Sequence, residues 1–333
     1  MIIEASHTYF GGGYVLLEQI LDYCETNRIA TEVYVGYRDV FEKIRARNYR
    51  QVRLVKTNSI STLFRYFRKR SNVLFFCNLP PFVRNEQSVL YAQNYLLFET
   101  PRFTSQITLV YNIKKFVYFH LIKNFSHNVS DVVCQTVPVQ QILQKNLGIN
   151  ARVYPFFRDM HQLELTKRYD FCNIGSGEPH KNLGRLLDAV ESLSARYTFT
   201  LVVTLDGRLA HRELQNRIER INNKFQRTVI TNLGHIHYEH IIHVYHSSRA
   251  MVFPSLAETI ALPLIEAQQC GITVISSDLP YTHNVLTNPI TFDPEDVGSI
   301  EEKMEGFLLD KYSHVSQELK VQSKLDDFIH ILL

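Results

Sequence analysis

The sequence predicts an α/β protein of two Rossmann-like domains facing each other across a cleft. The chain has 333 residues, more than the roughly 250–300 at which one hydrophobic core stops growing. Short β-branched or aromatic runs alternate with longer amphipathic stretches, the rhythm of βα units around a parallel sheet. That rhythm restarts after Tyr154-Pro155. We therefore expect domains over residues 1–155 and 156–312, a hinge near 154–168, and a C-terminal helix over 313–333 packing back toward the first domain. In open parallel sheets the ligand sits at the carboxyl ends of the strands, so the cleft is the expected site.

In the first domain, β-branched and aromatic runs place strands at 1–5, 31–35, 52–55, 72–77, 88–92 and 131–135. Amphipathic stretches between them place helices at 14–27, 61–70, 105–124 and 137–146. In the second domain the same criteria give strands at 169–174, 199–205, 228–231, 250–253 and 273–276. Helices follow at 182–195, 210–223, 239–246, 263–269 and 300–309, the fourth opening on Pro263, where a proline is best tolerated.

Composition is that of an ordinary globular protein, with 45% hydrophobic and 21% charged residues. No basic n-region or cleavable apolar segment follows Met1, and apolar runs such as 116–122 are too short to span a bilayer, so a cytoplasmic protein is expected. Five cysteines (Cys24, Cys77, Cys134, Cys172 and Cys270), with no C-x-x-C pair, read as reduced core thiols. Charge is divided unevenly: residues 1–150 hold 18 Lys+Arg against 10 Asp+Glu, and the remainder 18 against 23. The two halves meet different partners.

Three stretches carry chemistry. In "PSLAETIALPLIEAQQCG", residues 254–271, Glu258 falls in the loop before the helix and Glu266 inside its first full turn. The amides of Ala261, Leu262 and Leu264 at the helix start would attract a phosphate, and a carboxylate there suits the paired hydroxyls of a ribose or sugar. Equally, Glu266 complements the helix dipole and Glu258 is a solvated loop residue. "FCNIGSGEPHKNLGRLLDAV", residues 171–190, is strand, glycine turn, Lys181 and helix, without a Walker or dinucleotide fingerprint. Lys181 is placed to neutralise a diphosphate or, equally, is a surface charge. Gly11-Gly12-Gly13 follows the first strand, where a ligand, a facing domain or a plain tight turn would use such freedom.

Together these stretches resemble the retaining, GT-B-fold glycosyltransferases of family 4 (group 1), whose signature pairs two glutamates separated by seven residues. "PSLAETIALPLIEAQQCGITVISSDLPY", "IGSGEPHKN" and "FGGGY" carry the resemblance, which is strong over residues 169–292 and looser over the first 150. It implies that Glu258 and the following backbone, Thr259, Ile260, Ala261 and Leu262, hold the transferred sugar, and that Glu266 binds the ribose of the nucleotide. Lys181, beside Ser176 and His180, would neutralise the diphosphate. Gly12 and Gly13 would line the cleft from the other domain. Lys181 and Glu258 are thus the expected catalytic residues, the donor is UDP- or GDP-linked, and no metal or other cofactor is expected. The glutamates are not a hydrolase acid and base, because one is expected on the nucleotide side.

The chain also departs from the family pattern. The common Gly-Phe-Gly after the first glutamate is Thr259-Ile260-Ala261, and the arginine near the lysine in many relatives is replaced by Ser176 or His180. Where relatives often show a histidine in the first domain the chain has Gln93-Asn94, which makes Asn94, with His7, the acceptor-side candidate.

Five histidines between His235 and His246 spread over several helix faces, against a metal site. Residues 38–70 hold eleven Lys+Arg against Asp39 and Glu42 without a nucleic-acid-binding pattern. In a family member this basic first domain, with the aromatics of "TLFRYFRKR" and "YNIKKFVYFHLIK", fits anionic lipid headgroups, though a solvated charged face reads the same way. The expectation is a hexosyltransferase acting on an undecaprenyl-diphosphate-linked oligosaccharide of a bacterial surface polysaccharide such as O-antigen or capsule, peripheral to the inner face of the cytoplasmic membrane. The alternatives are a non-catalytic GT-B subunit and a GT-B epimerase or phosphorylase.

Overall fold

The computed structural model describes residues 1–8, 11–76, 78–94, 97–98 and 109–333. Two compact units divide the chain: Met1–Arg158 with Gln322–Leu333, and Asp159–Val321.

The N-terminal unit runs β1 (Ile2–Glu4), α1 (Gly12–Thr26), β2 (Thr31–Val35), α2 (Arg38–Ala46), β3 (Val52–Lys56), α3 (Ser59–Tyr66), β4 (Ser71–Phe75), β5 (Glu86–Ala92), α4 (Leu109–Phe125), β6 (Asp131–Cys134), α5 (Val137–Leu147) and β7 (Ala151–Val153). Its seven strands form one sheet in the order β3-β2-β1-β4-β5-β6-β7, every pair parallel. β1 and β4 are buried on both faces, as Ile3, Val73, Leu74 and Phe75 show, because helices cover both sides of such a sheet.

The C-terminal unit repeats the plan with β8 (Tyr169–Asn173), α6 (Leu183–Leu193), β9 (Leu201–Val203), α7 (Arg212–Phe225), β10 (Ile230–Asn232), α8 (Tyr238–His246), β11 (Ser248–Phe253), α9 (Leu262–Gln269), β12 (Thr273–Ser277), α10 (Pro280–Val285), β13 (Ile290–Phe292) and α11 (Val297–Leu308). Its six parallel strands lie in the order β10-β9-β8-β11-β12-β13. Strand order reverses between β8 and β11, the switch point at which doubly wound sheets bind ligands.

Where one unit gives way to the other has local causes. Arg158 is ion-paired with Glu18 at 3.3 Å and Asp22 at 2.7 Å on α1, which keeps it with the first unit. Residues 310–321 stay with the second: the Gln317 side chain bonds the backbone N–H and C=O of Val274, each at 2.8 Å. The helix expected over 313–333 is confined to α12 (Leu325–His330). Phe328 there stacks on Phe156 at 5.3 Å and tilts against Tyr91 at 5.6 Å within the N-terminal unit.

Several elements lie outside the sequence expectations. β7 and β13 are three-residue edge strands, and α10 has six residues. α2 offers the core only Val40 and Ile44 amid charged residues. The helix expected from 105 is described from Leu109. α1 begins at Gly12, two residues before the expected Tyr14. Cys24, Cys134, Cys172 and Cys270 are buried free thiols, and burial pushes Cys134, Cys172 and Cys270 up to about 12, which removes them as nucleophiles at neutral pH. Cys77 lies outside the described residues.

Candidate functional site

Two loops flank the switch point of the C-terminal sheet. The first leaves β8 through Gly175, Ser176 and Gly177, enters a 3-10 turn (Pro179–Lys181) and reaches α6 through Asn182 in the left-handed conformation, φ 57°. Gly177 is obligatory for packing: a Cβ there would stand 2.6 Å from His211 and from Leu205. His211 is itself buried, with Nδ1 at 2.6 Å from Asp206 Oδ1. The second loop leaves β11 and carries Ser255, Glu258, Thr259, Ile260 and Ala261 into α9.

The loops are stitched together. Leu256 N–H donates to the His180 carbonyl at 2.7 Å, and the Ser255 hydroxyl lies 3.1 Å from the same oxygen. The Lys181 side chain lies over Phe253, its Nζ 5.5 Å from the ring centroid, and ends 2.5 Å from Glu258 Oε1. Ser255 Oγ is 2.7 Å from that same Oε1. With side-chain exposures of 20% and 13%, the pair is largely withdrawn from water yet opens to it. Desolvation, then the Lys181 charge, pushes His180 below the usual histidine range, so its imidazole is neutral at pH 7.

Glu266, 4% exposed, is held differently. Tyr238 donates to its Oε1 at 2.8 Å and Tyr245 to its Oε2 at 3.0 Å. Burial, then the Glu266 charge, keeps the Tyr245 hydroxyl protonated far above its ordinary range. Both tyrosines come from α8, seven residues apart and therefore on one face, a spacing from which the pair was readable. Neither they nor Ser255 figured among the expected site residues.

The start of α9 differs from expectation in two respects. Leu264 N–H is already taken, donating to the Ala261 carbonyl at 2.9 Å, so that amide cannot be offered to a phosphate. Ala261 sits at φ 52°, ψ 57°, a left-handed conformation that costs a residue with a Cβ about 1–2 kcal/mol. Glycine removes that strain, so Ala261→Gly should raise unfolding stability by about 1 kcal/mol, measured as a higher urea midpoint at unchanged slope.

Ser176, His180, Lys181, Glu258 to Leu262 and Glu266 all belong to the C-terminal unit, where Lys181 meets Glu258 directly; His7, Gly12, Gly13 and Asn94 belong to the N-terminal unit. There Gly11 takes φ 120°, and Gly13 lies where an added Cβ would meet Gln93 Oε1 at 3.1 Å. Asn78 Oδ1 accepts from the amides of Gln93 and Asn94 at 2.6 and 2.9 Å, fixing that loop beside the glycine turn. Among the described residues no atom lies within 4 Å of a Cβ added at Gly12.

A buried histidine beside this site sets a pH response. His246 is 4% exposed and its Nε2 lies 3.2 Å from the His161 carbonyl; burial lowers its pKa despite that hydrogen bond. The unfolded chain therefore takes this proton first, near pH about 6.5. The contribution is full above that value and is lost as pH falls through it toward the folded pKa. The urea midpoint should drop between pH 7.5 and 5.5, and His246→Gln should flatten that drop.

Two parallel, doubly wound sheets of seven and six strands are those of the GT-B class of fold. A family model described as "Glycosyl transferases group 1" matches residues 156–324, just over half of the chain, and the protein belongs to that family. O-antigen chain mannosyltransferase RfbU of Salmonella typhimurium is 24% identical over 213 residues, covering 59% of each chain. O-antigen chain mannosyltransferase B of Escherichia coli is 28% identical over 130 residues, 38% of this chain and 33% of that one. The chain thus spans less than two thirds of the length of these curated relatives. Among solved structures, WaaG, a glycosyltransferase involved in lipopolysaccharide biosynthesis, superposes with a TM-score of 0.69 at 14% identity, over 100% of this chain and 99% of that one.

Proposed function

We propose that the protein is a retaining glycosyltransferase that moves a hexose, mannose, from a nucleoside diphosphate sugar to a lipid-linked oligosaccharide in bacterial surface polysaccharide synthesis. The observation that carries this is Lys181 Nζ at 2.5 Å from Glu258 across the two switch-point loops, within the segment that the family model matches. In this reading an incoming diphosphate draws the ammonium off the carboxylate. Lys181 then neutralises the charge that develops on the leaving group, and Glu258 is released to accept from the sugar hydroxyls. Glu266 receives the ribose. The Tyr238 and Tyr245 hydroxyls orient its carboxylate. The acceptor hydroxyl attacks the anomeric carbon from the face that the diphosphate leaves, and a leaving oxygen takes the proton.

Mannose is the hexose in the names of the curated relatives. The sequence resemblance leaves the base as guanine or uracil, and the acceptor as O-antigen or capsule type. The His7 and Asn94 end of the N-terminal unit takes the acceptor. The reading needs no metal, so transfer should persist in EDTA.

The test is a transfer assay with GDP-mannose, UDP-glucose and UDP-galactose on a lipid-linked acceptor, the product's anomeric configuration being assigned by NMR. An α-linked mannoside from the α-linked donor supports the reading. A β-linked product, or transfer that stops in EDTA, sinks the retaining, metal-free mechanism. Binding of donor without any turnover would favour the non-catalytic subunit.

A further inference from the structure

Besides Lys181, one other permanent cation stands at the carboxyl ends of the C-terminal strands, the end at which such a sheet takes its ligand. Among the described residues, the loops that follow β8 to β13 hold Lys181 and Arg208 as their only lysine and arginine. Arg208 belongs to the loop between β9 and α7. That loop is fastened to the turn that carries Lys181. The Gly175 amide donates to Thr204 Oγ1 at 3.1 Å, and the Thr204 hydroxyl lies 3.2 Å from the Gly175 carbonyl. Two residues on, Gly177 leaves no room for a Cβ against Leu205 and His211.

The Arg208 side chain has one firm anchor and one loose one. Its Nε lies 2.7 Å from Asp206 Oδ2, and its backbone amide donates to Asp206 Oδ1 at 3.2 Å, so a single carboxylate fixes both loop and side chain. Nη1 reaches across to Glu178, in the turn before Lys181, at 3.1 Å. The Arg208 and Glu178 side chains are 55% and 43% exposed, and an ion pair so open to water holds weakly. A phosphate offers the same guanidinium edge a two-pronged, charge-assisted partner, which is stronger. The arrangement parallels Lys181 on Glu258: a cation of one loop rests on a carboxylate of its neighbour.

We infer that Arg208 is a second donor-binding cation, whose Nη edge leaves Glu178 for the diphosphate of the nucleotide sugar while Asp206 keeps hold of Nε. The inference rests on the donor-site reading above and adds to it the residue that answers the second phosphate. Each phosphate of the diphosphate is an anion, and Lys181 compensates one of them. His180, neutral at pH 7, does not compensate the other. In that reading the ammonium of Lys181 meets the leaving group as its charge develops. Arg208 then grips the diphosphate equally in the bound donor and in the transition state, so its loss falls on KM and leaves kcat.

Calorimetric titration of GDP and UDP into the wild type, Arg208→Ala, Arg208→Lys and Glu178→Gln tests it. The nucleotide that the wild type binds should bind Arg208→Ala about tenfold more weakly, while the thermal melt and the affinity for the corresponding nucleoside stay as they are. Arg208→Lys keeps the charge without the planar fork and should recover part of the loss. Glu178→Gln releases the guanidinium and should tighten the diphosphate by about threefold, a gain that a merely structural contact between the two loops would not give. Three results would overturn the inference and leave the donor-site reading standing: equal affinity of Arg208→Ala and the wild type for the diphosphate, an equal loss for nucleoside and diphosphate, or weaker diphosphate binding in Glu178→Gln. A wild-type protein that binds neither nucleotide would overturn both.

Discussion

Lys181→Ala is expected to lower turnover of the sugar donor by about 10²–10³-fold with the fold retained. The side chain leaves the turn between Gly177 and the left-handed Asn182 and lies with its Nζ over the Phe253 ring. Removing it leaves Glu258 with Ser255 Oγ at 2.7 Å and partial access to water. Unfolding stability should therefore fall by only about 1–2 kcal/mol. The family arginine has no counterpart at Ser176 or His180, and His180 is neutral at pH 7, which concentrates the cost on one ammonium. Arg208, which reaches Glu178 of that turn, is held between Glu178 at 3.1 Å and Asp206 at 2.7 Å. Steady-state kinetics of Lys181→Ala and Lys181→Arg check this: the arginine variant should recover part of the loss, and equal turnover in all three proteins would remove Lys181 from the chemistry.

Glu266→Ala should be the most destabilising single change at the site, by about 2–4 kcal/mol, lowering the melting temperature by roughly 6–10 °C. The variant removes the carboxylate that accepts from both tyrosine hydroxyls, and leaves the wholly buried Tyr245 hydroxyl with the Pro263 carbonyl at a long 3.4 Å. This loss comes in addition to any loss of ribose contact. Donor binding is therefore better compared in Tyr238→Phe, which removes one orienting hydrogen bond from Glu266 Oε1 while leaving the carboxylate and the Tyr245 bond in place. If the tyrosines orient the carboxylate for the ribose, that variant should raise the donor KM several-fold and leave kcat near wild type; chemical denaturation curves of both variants separate the two effects.

Much of the fold was legible because buried parallel strands are continuous β-branched and aromatic runs, as in Val33, Val73 and Leu74 or Ala250, Met251 and Val252. What escaped lacks that signal. β7 and β13 present three residues each at a sheet edge, and α2 is anchored by two apolar side chains in a stretch that reads as a basic run. At the site, the glycine turn and the two glutamates were recognisable through family resemblance. Three physical features were not. The Lys181–Glu258 pair joins residues 77 positions apart. The strain at Ala261 depends on a backbone conformation that alanine does not advertise. Leu264 loses its amide to a turn inside the loop.

The measurement closest to the central claim is calorimetric titration of GDP and UDP into the wild-type protein and into Lys181→Ala. If the switch-point loops hold a nucleoside diphosphate, one of the two should bind at a single site, and Lys181→Ala should weaken it by about tenfold or more while binding of the corresponding nucleoside changes little. Absence of binding by both nucleotides at millimolar concentration, or equal affinity in the variant, would contradict the assignment of this site to the sugar donor.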